Sequence, residues 1–463
     1  MKRVLAVGVC FAHALRSGPA LRAPRRAARL DARGSAAVEA PAAAADELDC
    51  GHFDECSGCV VQSAFDDVAI VRRARALLEP ELGRPLEVFL AAKTGWRAQA
   101  RLAAAPSGSA AVAKKGKSRR GGRNWRAGGV ALGLYAAGSH TVVPIPACRA
   151  HDDAVNAAAR AVVEACADSG ATAATEDDEG HLQYAQLAVE RLTGKVALTV
   201  VWNARGPKEA APELPRFVKA LDKAKFHSVW ANYRGAKKGN AIFDFDPRAW
   251  ALLWGQERVV EPLFEDGAAA DAAGLDGGLK LRYTPLVFRQ ANPLGFGRLV
   301  ERLGAWVPEG ADVVELYGGV GAIGLAVRPR CGRLRCSEFN EHAGACFDAA
   351  LRDQNKRRPK LAPASFRALS AADAIEIDAA GATCLIVDPP RKGLCAPVLD
   401  ALLEKRSTPA LSRLVYVSCG FDALKRDAAA LLGSGRWKLR HAECHVLFPG
   451  SDHVETLAIF DAP

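Results

Sequence analysis

From residue 312 onward, short apolar runs alternate with stretches of helical character, and this alternation constrains the fold more than any other feature of the chain. Residues 312–316, 334–338, 384–388, 414–419 and 456–460 each read as strands. Repeated strand–helix units with apolar strands predict an α/β fold whose C-terminal part is a doubly wound, mostly parallel, Rossmann-like sheet. Such sheets bind their ligands beyond the carboxyl ends of the strands. Chemistry is therefore expected in the turns that follow these runs.

Four turns carry suitable residues. The first is Glu315-Leu316-Tyr317-Gly318-Gly319-Val320-Gly321-Ala322. Gly319 and Gly321 let a cofactor approach the backbone and accept a positive φ. Glu338 ends the next strand, where a carboxylate can take ribose hydroxyls. A dinucleotide would prefer G-x-G-x-x-G, which is absent, so the pattern suits S-adenosylmethionine better; a tight turn without ligand is the plain alternative. The second is Asp388-Pro389-Pro390-Arg391-Lys392-Gly393, a stiffened carboxylate able to orient a planar, hydrogen-bonding substrate. Amino-group methyltransferases place an aromatic residue where Arg391 stands. The third is Val417-Ser418-Cys419-Gly420. A lone cysteine is usually inert, but a thiol at this sheet edge can be a nucleophile if its pKa is lowered. The fourth is His453-Val454-Glu455, where Glu455 opens the last strand as a candidate general base. A methyl-donor site, an attacking thiol, a base and an orienting carboxylate are what methylation of uracil carbon 5 needs.

These motifs, with Phe288-Arg289-Gln290-Ala291-Asn292 ahead of them, stand in the order found in the RNA 5-methyluridine (uracil-C5) methyltransferases, and residues 288–460 resemble that family. The resemblance implies a class I S-adenosylmethionine-dependent RNA (uracil-5-)-methyltransferase. It places Gln290, Tyr317, Glu338 and Asp388 at the cofactor, beside Gly319 and Gly321, with Cys419 as nucleophile and Glu455 as proton acceptor. Three positions depart from the family: Gly318 stands where cysteine is usual, Ala322 where a polar residue is usual, and Gly420 where Asn or Asp is usual. They bear on efficiency more than on reaction type. The rival readings are an RNA-binding relative with impaired catalysis and an iron–sulfur redox protein on a methyltransferase-like fold.

Cys50, Cys56 and Cys59, with the distant Cys148, resemble the four-cysteine iron–sulfur site of many family members. That implies a 4Fe-4S cluster of structural role. Zinc is the alternative by thiolate count, although the two close pairs of a zinc ribbon are absent.

RNA contact is expected from Arg97 and Arg101, which resemble basic positions of the family's central domain, and from a basic, Gly-rich loop. That loop, residues 114–126, holds seven Lys/Arg in thirteen residues. Lys114, Lys115, Arg119, Arg120 and Arg123 can neutralise phosphates, and Trp125 can stack on an unpaired base; a solvated insertion is the alternative. The expected partner is tRNA or rRNA. Global charge adds little to that case: the net +10 includes eight Lys/Arg and one Asp in residues 1–35, and 10 − 7 leaves +3.

The same basic, acid-poor start reads as a targeting leader for a plastid or a mitochondrion, the plastid preferred, with a disordered tail as the alternative. Thirteen cysteines, an odd count in a core-forming chain, fit a reduced compartment. No stretch is long and apolar enough to span a membrane, and a monomer is expected. The expected organisation is a leader (1–45), an iron–sulfur region (46–149), a central mixed α/β RNA-binding domain (150–285) and a methyltransferase domain (286–463).

Overall fold

The alternating half of the sequence folds into the parallel sheet that its apolar strands require. The computed structural model describes residues 47–108, 129–175, 179–235, 241–404 and 407–462; the leader and the 114–126 loop lie outside them. The chain begins with α1 (Ala69–Leu82) and β1 (Glu87–Leu90). It continues through β2 (Gln99–Pro106), β3 (Val130–Tyr135), β4 (Val142–Pro144), α2 (Asp153–Ser169), β5 (Leu182–Glu190), β6 (Lys195–Trp202), α3 (Glu213–Ala220), β7 (Phe226–Tyr233) and β8 (Trp250–Gly255). A small ladder of β9 (Val259–Pro262) and β10 (Lys280–Tyr283), with α4 (Gly267–Ala272) between, leads onward. The last part holds α5 (Pro293–Gly304), β11 (Ala311–Leu316), α6 (Ala322–Val327), β12 (Cys331–Glu338), α7 (His342–Arg357), β13 (Ala364–Ala368) and α8 (Ala371–Asp378). It ends with β14 (Cys384–Val387), α9 (Ala396–Leu403), β15 (Arg413–Ser418), α10 (Phe421–Gly433), β16 (Lys438–Val446) and β17 (Glu455–Asp461).

The larger sheet runs β1-β16-β17-β15-β14-β11-β12-β13. Its neighbours are parallel except where β17 is involved, which runs antiparallel to both β15 and β16. Chain order reverses beside β11, whose successor β12 lies on one side and β14 on the other. A crevice opens at the carboxyl ends there. Both faces are covered, so the inner strands β11, β14, β15 and β17 are mostly apolar. One face packs Leu299, Leu303, Val313, Phe347 and Ile459; the other packs Val398, Leu424, Tyr416, Trp437 and Phe460.

The second sheet runs β4-β3-β2-β5-β6-β7-β8 and packs α2 and α3 over a core of Val155, Val162, Leu187, Leu198, Trp202 and Phe217. It corrects the expected division of the chain. β2, β3 and β4 precede residue 150, yet β2 pairs with β5 from Gln99↔Ala188 to Ala103↔Tyr184. The boundary at 149/150 therefore cuts one sheet. Conversely, Val71, Ala74 and Leu78 of α1 share the core of the methyltransferase-like sheet, and β1 extends that sheet's edge. Residues 46–149 are thus divided between the two sheets. Pairing of strands distant in sequence leaves no local periodicity, which is why the boundary was expected elsewhere.

Candidate active site

Three strands deliver the candidate reacting groups to one edge. β14 ends at Val387 and presents Asp388; β15 ends at Ser418 and presents Cys419. β17 runs the other way, with Thr456 paired to Ser418, so Glu455 arrives opposite Cys419. The half-buried thiol points at the Pro389 carbonyl, 3.8 Å away. Burial, then the Glu455 and Asp388 charges, push it up to about 12, while Arg391 pulls the other way. Glu455 is 6% exposed. Burial and Asp388 push its carboxyl up to about 8, again opposed by Arg391. Burial pushes Asp388 up to about 7. Neither carboxylate has an ion pair among the described residues. Two acids kept near neutrality beside a thiol form a group suited to proton transfer.

The Gly-rich turn after β11 lies on the same edge. Tyr317, Gly319 and Gly321 have φ of 59°, 54° and 78°. A Cβ on Gly321 would also overlap the Phe347 ring. The Gly319 N–H donates to Glu338 Oε2 at 3.2 Å, and the Asn340 N–H to Oε1 at 2.9 Å. Glu338 is thereby fixed at the end of β12 with lone pairs to spare. The Tyr317 hydroxyl accepts from the Cys395 N–H at 3.2 Å and donates to its Sγ at 3.4 Å, tying this turn to the segment after Asp388. Gln290 lies in the loop before α5, partly buried. Its neighbour Ala291 accepts from the Ala98 N–H at 2.8 Å, and Asn340 Nδ2 donates to the Leu286 carbonyl at 2.8 Å, so this loop adjoins the Glu338 turn. All eight expected reaction and cofactor positions therefore lie at strand ends or in the adjoining loops at one side of the sheet.

Two features of the site go beyond the sequence reading. Glu315, the first residue of the Gly-rich motif, is buried under the turn, where burial pushes its carboxyl up to about 7. A Cβ on Gly318 or Gly324 would crowd it. A Cβ at 318 would also overlap Cys336 Sγ of β12. Cys336 Sγ thus fills the space that a side chain at position 318 would need.

The four cysteines expected to bind metal come from two distant segments. Burial, then Cys148, Cys50 and Cys56, push Cys59 up to about 12, so the four thiols are electrostatic neighbours. Among the described residues, however, no group of three or more His, Cys, Asp or Glu side chains is placed to hold a metal ion. The two expected RNA-binding arginines occupy different surroundings. Arg97 stacks on Trp96 with 4.7 Å from guanidinium carbon to ring centroid, and it is turned toward Cys148 and Cys59. Arg101 is exposed, donates to Gln186 at 2.6 Å and lies over Phe243. Lys114, Lys115, Arg119, Arg120, Arg123 and Trp125 lie outside the described residues.

Strand order, the single reversed strand and the Gly-rich turn after the central strand define the Rossmann-like fold of S-adenosylmethionine-dependent methyltransferases. No family model matches the chain. It is 29% identical over 423 residues to an uncharacterised RNA methyltransferase of Protochlamydia amoebophila, covering 89% of this chain and 97% of that one. It is 27% identical over 427 residues to a 23S rRNA (uracil(1939)-C(5))-methyltransferase of Acidithiobacillus ferrooxidans, covering 89% and 82%. Among solved structures, the tRNA (uracil-54, C5)-methyltransferase of Pyrococcus abyssi, in complex with S-adenosyl-L-homocysteine, matches with a TM-score of 0.60 and 21% identity over 84% of this chain and 82% of that one. The resemblance to RNA uracil-C5 methyltransferases is thus shown along nearly the whole described chain as well as in its motifs.

Proposed function

We propose that this chain is an S-adenosylmethionine-dependent RNA methyltransferase acting on carbon 5 of a uridine in tRNA or rRNA, through a covalent cysteine–uracil intermediate. The observation that carries the reading is the meeting of Cys419, Glu455 and Asp388 beside the Gly-rich turn of a methyltransferase fold. Full-length relatives that bear RNA methyltransferase names support it.

S-adenosylmethionine supplies an electrophilic methyl group. Gly319, Gly321, Tyr317, Glu338, Gln290 and Asp388 would hold it. Asp388 would orient the uracil ring. The Cys419 thiolate adds to carbon 6, forming a carbon–sulfur bond and moving the ring's electron pair toward carbon 5. Carbon 5 would then take the methyl group as the sulfur–methyl bond breaks, its electron pair staying on sulfur so that S-adenosylhomocysteine leaves. The Glu455 carboxylate removes the carbon-5 proton, and the returning electron pair expels the thiolate. Holding these reactants in line is worth up to roughly 7–11 kcal/mol of barrier. Cys419→Ala should abolish methyl transfer while S-adenosylmethionine still binds by calorimetry. Methylation at the normal rate in that variant would remove the covalent route.

The four thiols, with no nitrogen or oxygen donor among them, suit a 4Fe-4S cluster or zinc. A single tetrahedral zinc, with Zn–S of about 2.3 Å, would need its sulfurs about 4 Å apart. The two close cysteine pairs of a zinc ribbon are absent, since Cys148 stands alone, and this favours the cluster. Anaerobic protein should contain about four irons, and serine at Cys50, Cys56, Cys59 or Cys148 should lose them; zinc without iron would reverse the assignment. The proposed RNA surface comprises Arg101, with Arg97 near the cluster, and the 114–126 loop. An organellar address, the plastid preferred, and a monomeric state complete the reading.

A further inference from the structure

We propose that Gly420, Asp427 and Arg426 are positioning residues: they hold the turn after Asp388 against the end of β15 and so station the Arg391 guanidinium beside the Cys419 thiol. This rests on the reading of Cys419 as the nucleophile.

The contact is close because position 420 carries no side chain. A Cβ there would overlap the Arg391 carbonyl oxygen and stand 2.9 Å from its Cα. The family's usual Asn or Asp could not sit here without moving the turn. Gly420 thus admits a close approach of this turn to the nucleophile. The other side of the turn is stapled by α10. Asp427 is fully buried. Its Oδ2 accepts from the Leu394 N–H at 2.9 Å and from the Tyr416 hydroxyl of β15 at 2.8 Å. Its Oδ1 accepts from Arg426 Nε at 2.9 Å and Nη2 at 2.7 Å, and Arg426 Nη2 donates to the Lys392 carbonyl at 2.9 Å. Gly393 has φ of 79°, and a Cβ there would stand 2.8 Å from that of Ala423. One carboxylate therefore fixes strand, turn and helix together.

The charges that face Cys419 are Glu455 from β17, Asp388 from the end of β14 and Arg391 from the turn. His453, ahead of β17, also faces Arg391. Two acids oppose ionisation of the thiol and the guanidinium favours it. Moving Arg391 away leaves the thiolate facing carboxylates alone.

The test is alkylation of Cys419 in the intact protein without RNA, read by mass spectrometry of its peptide from pH 7 to 10, with neutral iodoacetamide and anionic iodoacetate. Arg391→Gln should slow iodoacetamide about tenfold, as a one-unit rise in thiol pKa does. It should slow iodoacetate more, because an attracting cation is gone. Arg391→Lys should recover most of both. Gly420→Ala and Asp427→Asn should reproduce the Arg391→Gln pattern. Gly433→Ala, at the far end of α10 with nothing near its Cβ, should behave as wild type. Equal losses for the two reagents would mean a steric effect and would overturn the cation's role. Wild-type rates in both Gly420→Ala and Asp427→Asn would overturn the positioning. Failure of the nucleophile reading shows separately, as methylation by Cys419→Ala, and leaves the alkylation result intact.

Discussion

Two buried glutamates stand on neighbouring strands of one sheet and behave in opposite ways. Glu443, on β16, is 1% exposed and Glu455, at the start of β17, is 6% exposed. Burial alone would raise both. Glu443 accepts from Arg302 Nε at 2.7 Å and Nη2 at 2.6 Å, and from His441 Nε2 and His445 Nε2, each at 2.9 Å. These bonds overcome burial and hold its carboxyl well below the usual range. Around it, Trp306 stacks on His441 and Phe89 on His445. Arg84 Nη2 lies 2.6 Å from His441 Nδ1; since an arginine only donates, His441 must present its Nε2–H to Glu443. Glu455 lies opposite His445 in the ladder, yet no such set of donors surrounds it, and it is pushed up to about 8. At similar burial the number of partners decides the outcome: a saturated carboxylate stays ionised, and one short of donors is held close to its protonated form.

The largest expected effect breaks the chemical side. Glu455→Gln should lower turnover by about 10²–10⁴-fold, the range for losing a general base, and a protein–RNA adduct should accumulate on denaturing gels. Stability should not fall, because a neutral amide replaces a poorly solvated acid. Normal turnover without adduct would remove Glu455 from the base role. Arg302→Met breaks the structural side. Removing one partner of a buried ion pair costs about 3 kcal/mol, the lower end of the usual range because this guanidinium retains some solvent. The urea midpoint should drop accordingly while turnover per folded molecule holds. A fall in turnover with stability intact would mean that Glu443 belongs to the chemistry.

Acidity sharpens the contrast with a smaller effect. Glu455 has a folded value of about 8 against an ordinary 4.5, so between those values the folded chain binds more protons than the unfolded one. Its contribution to stability therefore declines as pH rises through that window, by up to about 1.4 kcal/mol per unit. Glu443 is depressed, so its contribution is present above 4.5 and is lost as pH falls through its folded value. Denaturation across pH 3 to 9 should show both slopes, and Glu455→Gln should flatten only the alkaline one. The smallest effect is expected from His445→Gln, which keeps a donor toward Glu443. It should cost less than about 1 kcal/mol and leave unchanged the rise of activity with pH expected as the proposed base Glu455, held at about 8, loses its proton; a displaced profile would show that the two carboxylates are coupled through position 445.

The contrast also marks what the sequence could disclose. The strands at β11, β12, β14, β15 and β17 are legible because both faces of a parallel sheet are covered and their residues are apolar. Tyr317 to Gly321, Asp388, Cys419 and Glu455 follow from where those strands stop. β16 is not legible: Lys438, Arg440, His441, Glu443 and His445 give it a polar pattern, and partners from α5 and β1 let His441, Glu443 and His445 be buried while Lys438 and Arg440 stay exposed. The role of Gly420 is hidden for a related reason. A glycine after Cys419 reads as a missing side chain until the Arg391 backbone is seen to occupy the space.

The pairing of β1 with β16 carries a kinetic consequence. Arg84 and His441, which meet at this edge, are 357 residues apart in sequence. The sheet that holds the proposed active site therefore closes only after nearly the whole chain has left the ribosome, by a contact of very high order. β2 to β8 pair within a shorter span and can form first, as an early scaffold. A fragment starting at residue 286 would lack the strand that seals β16. Its open edge would be a template for intermolecular pairing, so such a fragment should accumulate as aggregate rather than as a smaller enzyme.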